Sequence, residues 1–132
     1  MPIPDYQSIM LPLLKLASDG KEHSIHEAIE HICKEFGMTE EEKRKLLPSG
    51  QQRVIDNRVG WARTYLKKAG LLESERRSYF RITPKGLEVL RENPPKVDVR
   101  FLERFPEFIE FRTRKIKESE EETAKTLRSF DG

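Results

Sequence analysis

Apolar residues recur at helical spacing in two stretches near the start of the chain. The first stretch predicts a helix over residues 5–18, in which Pro12 either kinks the helix or marks a late start. The second predicts a helix between Ser24, which forms a capping-box pattern with Glu27, and Gly37. The predicted core face of this second helix comprises Ile25, Ala28, Ile29, Ile32, Cys33 and Phe36.

A short helix and a long helix are predicted next. The capping box at Thr39–Glu42 opens a short helix that carries Leu46 and Leu47 and ends at the Pro-Ser-Gly of residues 48–50. The long helix covers residues 54–69, and a glycine follows it directly. Its inner face is predicted to comprise Ile55, Val59, Ala62, Leu66 and Ala69.

Two short strands are predicted after the long helix. They occupy residues 71–74 and 79–82, and the polar turn 75–78 joins them into a hairpin. An extended segment at residues 21–23 could add a third strand. Thr83-Pro84 has the capping pattern of one more helix, which stops at an Asn-Pro-Pro sequence.

This order of elements is that of a winged helix-turn-helix domain, mainly α with a small β-hairpin, and we assign it to residues 1–95. Residues 96–132 predict a C-terminal helical extension. Pro106 opens a new turn there, and the highly charged stretch 115–122 predicts a solvated helix or a linker. Four phenylalanines of the extension lie at helical spacing and predict a packed stripe: Phe101, Phe105, Phe108 and Phe111.

Charge is distributed unevenly along the chain, although the net charge is only +2. Residues 51–91 contain ten Lys/Arg and four Asp/Glu, a balance of +6, and the remainder carries fifteen against nineteen, or −4. A basic centre with acidic flanks favours an anionic partner, of which nucleic acid is the commonest, although a solvated mixed surface stays open. A chain of 132 residues also leaves little room for an enclosed active site.

The outer face of the helix at 54–69 carries the candidate DNA contacts. Arg and Asn can bond bidentately to base edges in the major groove, Lys and Thr mostly contact phosphates, and Gly60 would permit close approach of the backbone. The alternative is an ordinary solvated helix face. The candidate DNA-binding residues of this helix are Asn57, Arg58, Arg63, Thr64, Lys67 and Lys68.

Basic residues after and before this helix extend the candidate interface. Arginines of the hairpin turn, or wing, are suited to contact the DNA backbone or the minor groove. A charged turn that only keeps the hairpin soluble explains these arginines nearly as well. Backbone N–H groups at the helix start could meet a phosphate. The added DNA-binding candidates are Gln51, Gln52, Arg53, Arg76, Arg77, Arg81 and Lys85.

Other side chains are candidates for base stacking or for zinc binding. Trp61 and Tyr65 could stack on a base, but core or half-buried packing against the first helix and the C-terminal segment is favoured. A zinc site is not expected, because His26 and His31 point in different directions on a helix; the histidines are expected at the surface and Cys33 in the core. No cofactor is predicted.

The single cysteine excludes an internal disulfide and favours a reducing compartment. The start of the chain has no basic region typical of a signal peptide, and no apolar run reaches membrane-spanning length. We therefore expect a cytoplasmic protein with no membrane partner.

The run Pro48-Ser49-Gly50, followed by Asn57 to Ala62 (NRVGWA), Tyr65 to Leu72 (YLKKAGLL) and Arg81 to Gly86 (RITPKG), closely resembles the N-terminal domain of Mrr-family restriction endonucleases. The resemblance covers roughly residues 6–94. It implies a winged-helix DNA-binding module that is normally followed by a nuclease domain, in enzymes that restrict modified, typically methylated, DNA.

The resemblance also implies that this chain is not itself a nuclease, since it has no room for a catalytic domain with its clustered acidic residues and lysine. Its implied role is to target duplex DNA for a nuclease domain in cis. Two alternatives stay open: a stand-alone winged-helix transcriptional regulator, and a protein-interaction or dimerisation module. An exposed phenylalanine stripe and a homodimer would favour the interaction or dimerisation module.

Overall fold

The computed structural model describes residues 3–114, which form seven helices and three short strands. The helices are α1 (Tyr6–Leu16), α2 (Ile25–Glu35), α3 (Glu40–Arg44), α4 (Val54–Lys68), α5 (Pro84–Arg91), α6 (Val99–Leu102) and α7 (106–114). The strands are β1 (His23–Ser24), β2 (Leu72–Glu73) and β3 (Tyr79–Ile82), and a single 3-10 turn (Ala17–Asp19) follows α1.

The helix ends follow the local signals in the sequence. Asp5 caps α1, which is continuous through Pro12, so the helix starts at Tyr6 and not late, after Ser8. Ser24 accepts a hydrogen bond from the Glu27 backbone N–H at the start of α2. Thr83 does the same for Gly86 at the start of α5. The predicted helices are therefore confirmed at these three starts.

The three strands form one antiparallel sheet in the order β1-β3-β2. His23 of β1 pairs with Phe80, and Leu72 of β2 pairs with Ile82. The possible third strand at residues 21–23 is thus present, but it begins two residues later and ends one residue later than predicted. The hairpin directly after α4 and the strand that precedes α2 confirm the winged helix-turn-helix order.

The core lies between α1, α2, α4 and the sheet. Ile9, Leu13 and Leu14 of α1 are fully buried, as are Ile55 and Leu66 of α4. Burying each of these side chains contributes about 1.5–3 kcal/mol. One side of α4 is therefore fixed against α1, and its opposite side is turned outward.

The prediction for the short third helix was wrong at its end. The helix stops at Arg44, and Leu46 lies in an extended segment that is bridged to Arg53, with 52% of its surface exposed. Pro48 disfavours helical backbone at the preceding residue, so the chain turns instead of continuing the helix. The Val54 N–H donates to the Lys45 carbonyl oxygen and closes this turn.

The segment after residue 95 packs onto the same core. Val97, Leu102 and Phe108 are buried in the cluster that contains the α1 and α4 side chains. The Val99 backbone N–H donates to the Gln7 side-chain oxygen at 2.9 Å. Pro106 begins α7, as predicted, and the phenylalanine stripe is packed, whereas the charged stretch 115–122 lies outside the described residues.

Candidate nucleic-acid interface

The side of α4 opposite the core carries a row of polar residues at positions 57, 60, 64 and 67. We call Asn57, Gly60, Thr64 and Lys67 the open face of α4. The Asn57 amide donates to the Gln52 side-chain oxygen at 3.3 Å. Within residues 3–114, no side-chain hydrogen bond or ion pair engages Thr64 or Lys67. The open face is therefore available to an external partner.

Gly60 lies at the centre of the open face without an internal reason to be glycine. A Cβ placed on it would meet nothing within 4 Å, and its backbone is helical. Glycine within a helix costs about 1 kcal/mol relative to alanine. Gly86 of α5 differs, because a Cβ there would lie 2.4 Å from the Leu71 carbonyl oxygen. Packing explains Gly86, whereas no contact of the described residues requires glycine at position 60.

Three other predicted contacts on α4 have partners within the domain or are half-buried. Arg58 donates to the backbone carbonyls of Ile3 at 2.8 Å and Pro4 at 3.3 Å. Arg63 is half-buried, and its Nε has no hydrogen-bond partner among the described residues. Lys68 places its ammonium 5.3 Å from the centre of the Phe111 ring. Arg58 and Arg63 thus lie apart from the open face, whereas Lys68 is exposed beside Thr64.

An ion pair neutralises the start of α4. Arg53 donates from Nε and Nη2 to the two carboxylate oxygens of Asp56, at 3.0 and 2.8 Å. These hydrogen bonds raise the pKa of Arg53 above its ordinary value. Gln51 and Gln52 are exposed, and the Gln51 N–H donates to the Ser49 hydroxyl at 3.3 Å. The formal charges of Arg53 and Asp56 therefore cancel at the helix start, and no side chain caps the first backbone N–H groups of α4.

The wing, residues 74–78, is closed by a serine at each end. The Ser74 hydroxyl lies within hydrogen-bonding distance of the carbonyl oxygens of Arg76 and Tyr79, at 2.8 and 2.6 Å. Ser78 has a φ of 68°, a left-handed conformation that is uncommon for a residue other than glycine. The Arg76 guanidinium lies 3.7 Å from the centre of the Tyr79 ring. These contacts give the wing a defined conformation.

Carboxylates pair with Arg76 of the wing and with Arg81 of β3, the strand that follows it. Arg76 donates to Glu22 at 2.8 Å, and Arg81 donates to Glu73 at 2.9 Å and to Glu75. The hydrogen bonds to Glu22 and Glu73 raise the pKa values of Arg76 and Arg81, respectively.

Arg77 is the wing arginine that has no ion-pair partner within residues 3–114. The wing and its ion-pair partners carry three arginines and three carboxylates, so their net charge is zero. These residues are Arg76, Arg77, Arg81, Glu22, Glu73 and Glu75. The basic character of residues 51–91 is therefore not a property of the wing.

Lys85 faces the C-terminal segment and not the wing. Its ammonium lies 2.9 Å from a Glu107 carboxylate oxygen and 4.5 Å from the centre of the Phe105 ring. The hydrogen bond from Lys85 lowers the pKa of Glu107. The sequence could not place Lys85, because its partners lie about twenty residues further along the chain.

A cluster of aromatic rings joins α1, α4 and α7. The Tyr65 ring centre lies 5.2 Å from that of Tyr6, 5.7 Å from that of Phe108 and 5.9 Å from that of Trp61. Tyr65 thus packs as predicted, between the first helix and the C-terminal segment. Trp61 is half-buried, with 41% of its surface exposed, and its described ring contact is with Tyr65.

His23 was expected at the surface, but only 8% of it is exposed. Its Nδ1 lies 2.6 Å from a Glu27 oxygen and its Nε2 lies 2.9 Å from an Asp19 oxygen. Burial acts to lower the pKa of His23, but the hydrogen bonds to Asp19 and Glu27 outweigh it and raise the pKa. Because both ring nitrogens face carboxylates, the charged imidazolium is favoured. Sequence spacing gave no signal, since these residues lie on different elements.

Within residues 3–114, no group of three or more His, Cys, Asp or Glu side chains is placed to hold a metal ion. Cys33 is buried, as predicted, and burial raises the pKa of its thiol. No helix in the same range is long and apolar enough to cross a membrane.

The fold and the open face define a winged-helix domain with an outward-facing polar helix next to its wing. Residues 6–92 match the Mrr N-terminal domain family, and the chain belongs to that family. It is 32% identical over 95 residues to EcoKMrr of Escherichia coli (strain K12), which is described as a type IV methyl-directed restriction enzyme. The match covers 71% of this chain but only 31% of that relative. None of the solved structures matches the chain.

Proposed function

We propose that this chain is the DNA-docking domain of an Mrr-like restriction system, which binds duplex DNA through α4 in the major groove. The observation that carries the proposal is the open face of α4. Its polar side chains are turned away from the core, and Thr64 and Lys67 have no ion pair or side-chain hydrogen bond within residues 3–114.

The chemistry of the open face suits a DNA duplex. The major groove admits an α-helix, and an asparagine can bond bidentately to adenine there. Lys67 and Thr64 are suited to phosphate oxygens, which hold a protein in register on the duplex. Gly60 lets the α4 backbone approach the groove edge closely. Arg77 supplies a positive charge at the wing tip, where the DNA backbone or the minor groove would lie.

Two finer parts of the proposal are supported by the relative. Because EcoKMrr is described as methyl-directed, the proposed target is methylated duplex DNA. The chain is proposed to dock DNA without cleaving it, since the matched family is an N-terminal domain and the match spans only 31% of that enzyme. Cleavage would then be carried out by a nuclease domain in cis.

The proposal is tested by fluorescence anisotropy with matched methylated and unmethylated duplexes over a salt series. Salt-sensitive binding is expected, and Lys67→Ala should weaken it and reduce the salt slope by about one. Lys15→Ala is the charge-matched control, because Lys15 is exposed on α1, the helix that packs on the buried side of α4. Absence of binding at low salt, or equal losses in both variants, would refute the docking face.

A nuclease assay with pure protein and added Mg²⁺ tests the second part. Cleavage of either duplex would show that the chain itself is catalytic. The protein-interaction alternative depended on an exposed phenylalanine stripe. Phe108 is fully buried and Phe101, Phe105 and Phe111 are partly buried, so the described residues do not provide that feature.

A further inference from the structure

Trp61 is a large apolar side chain left exposed beside the open face of α4. It lies four residues after Asn57 and three before Thr64, which places it next to both on the helix surface. Among residues 3–114, the exposed large hydrophobic side chains are Leu46, Trp61 and Ile109, and only Trp61 belongs to α4. The helix proposed to enter the major groove thus carries one exposed indole.

The Trp61 ring contacts the ring of Tyr65, which is itself packed against other aromatic rings. Its centre lies 5.9 Å from that of Tyr65, with the ring planes at 75°. Tyr65 in turn contacts Tyr6, Phe108 and Phe111 at centroid distances of 5.2, 5.7 and 6.0 Å. Because Tyr65 is held from three other sides, the edge-to-face contact with it gives the indole a preferred orientation at the protein surface.

A methylated base presents a group that hydrogen bonds cannot read. The C5 position of pyrimidines and the amino groups of adenine and cytosine all lie in the major groove, so a methyl group on any of them projects there. Recognition of this methyl group requires an apolar surface at the groove. The open face offers amide, hydroxyl and ammonium groups and the single methyl group of Thr64, whereas the neighbouring indole offers a much larger apolar area.

We propose that Trp61 contacts the methyl group of the modified base and so determines the preference for methylated DNA. This inference rests on the proposed function, because it assigns a residue to the modification that the DNA-docking face would read. Phosphate contacts from Lys67 bind methylated and unmethylated duplexes alike, so they cannot provide this preference.

The test compares three duplexes of one sequence: unmethylated, with 5-methylcytosine, and with N6-methyladenine. Trp61→Ala should lower the affinity for the preferred methylated duplex by about fivefold to tenfold, and change the affinity for the unmethylated duplex by less than about twofold. Ile109→Ala is the matched control, since Ile109 is also exposed, at 43%, but lies on α7. It should leave all three affinities unchanged.

Tryptophan fluorescence gives an independent readout, because Trp61 is the one tryptophan in the sequence. The preferred methylated duplex should quench or shift its emission more than the unmethylated duplex does at saturation. Trp61→Phe, which keeps an aromatic ring beside Tyr65, should retain part of the preference.

Four outcomes overturn the inference. Equal losses of Trp61→Ala on all three duplexes would make the indole a general contact, and no loss would remove it from the interface. Wild-type protein that binds the three duplexes equally would leave DNA docking intact but refute methyl reading. Wild-type protein that binds none of them would refute the proposed function itself, together with the inference.

Discussion

Replacing Gly60 with alanine should change the stability of the fold and the affinity for DNA in opposite directions. The added Cβ meets no atom within 4 Å, and the helical backbone accommodates alanine without strain. Alanine restricts the unfolded chain more than glycine does, and it is the better helix former. The variant should therefore be more stable than the wild type by about 0.5–1 kcal/mol, which corresponds to a rise in Tm of roughly 2–6 °C.

Binding should change in the opposite direction. A methyl group at the centre of the open face would separate the α4 backbone from the groove edge, and contacts made by Asn57 and Thr64 would lengthen. We expect a loss of affinity of about tenfold, or roughly 1.4 kcal/mol, on every duplex sequence. The salt slope should stay unchanged, because no charge has been removed.

The assay combines thermal unfolding with anisotropy titrations on the same preparation. A variant that is more stable but binds more weakly cannot owe its weakness to unfolding. Gly86→Ala is the control for the stability argument: its Cβ would lie 2.4 Å from the Leu71 carbonyl oxygen and 2.6 Å from Ile82 Cγ1, so it should destabilise the protein. If Gly60→Ala binds DNA as tightly as the wild type, α4 does not approach the duplex at this point and the reasoning fails.

Three further predictions concern His23, the wing and the C-terminal segment. The stabilisation from His23 should be complete below about pH 6.5, the pKa of an unfolded histidine, and should be lost as pH rises through its higher folded-state pKa; urea midpoints across this range measure it. Arg77→Ala should weaken DNA binding in anisotropy titrations by about threefold and reduce the salt slope by about one, whereas Arg81→Ala should have less effect because Arg81 is already ion-paired. Phe108→Ala should lower the free energy of unfolding by about 3–5 kcal/mol in chemical denaturation, because its side chain is fully buried.

Each of these predictions has a control and a contradicting result. His23→Gln should flatten the pH dependence, and a wild-type midpoint that does not fall above neutrality would mean that the imidazolium is not favoured. A larger loss for Arg81→Ala than for Arg77→Ala would show that the ion pairs of the wing open on DNA. Ile109→Ala should change stability by less than about 0.5 kcal/mol, and an equally small effect of Phe108→Ala would exclude the extension from the core.

The C-terminal segment packs on the core of the domain, which bears on whether the domain ends at residue 95. The sequence favours a boundary at residue 95, where Pro-Pro ends the helical pattern. Val97, Leu102 and Phe108 nevertheless belong to the core built by α1 and α4. We propose that the folded unit extends past residue 95 and includes α7. Removing α7 would also expose Tyr65, which Phe108 and Phe111 cover.

Local patterns in the sequence were sufficient for the order of elements and for the inner face of α4. The capping residues Asp5, Ser24 and Thr83 each accept a hydrogen bond from a backbone N–H three positions later, so their effect can be predicted from neighbouring residues alone. The periodicity of α4 likewise showed which side would be buried. It predicted that positions 57, 60, 63, 64 and 67 would be turned outward, but Arg63 is half-buried, with its Nε atom buried.

Only the tertiary structure decided which basic residues remain available for a partner. Arg58 and Arg76 have partners 55 and 54 residues earlier in the chain, and His23 is enclosed by carboxylates from two different elements. Charge counting gives all of them equal weight, because it includes no distances. Folding brings distant carboxylates and carbonyls to some cations and leaves others, such as Lys67 and Arg77, without an ion-pair partner in the described part of the chain. Ion pairing depends on distances of a few ångströms, and for residues far apart in sequence those distances are set by packing.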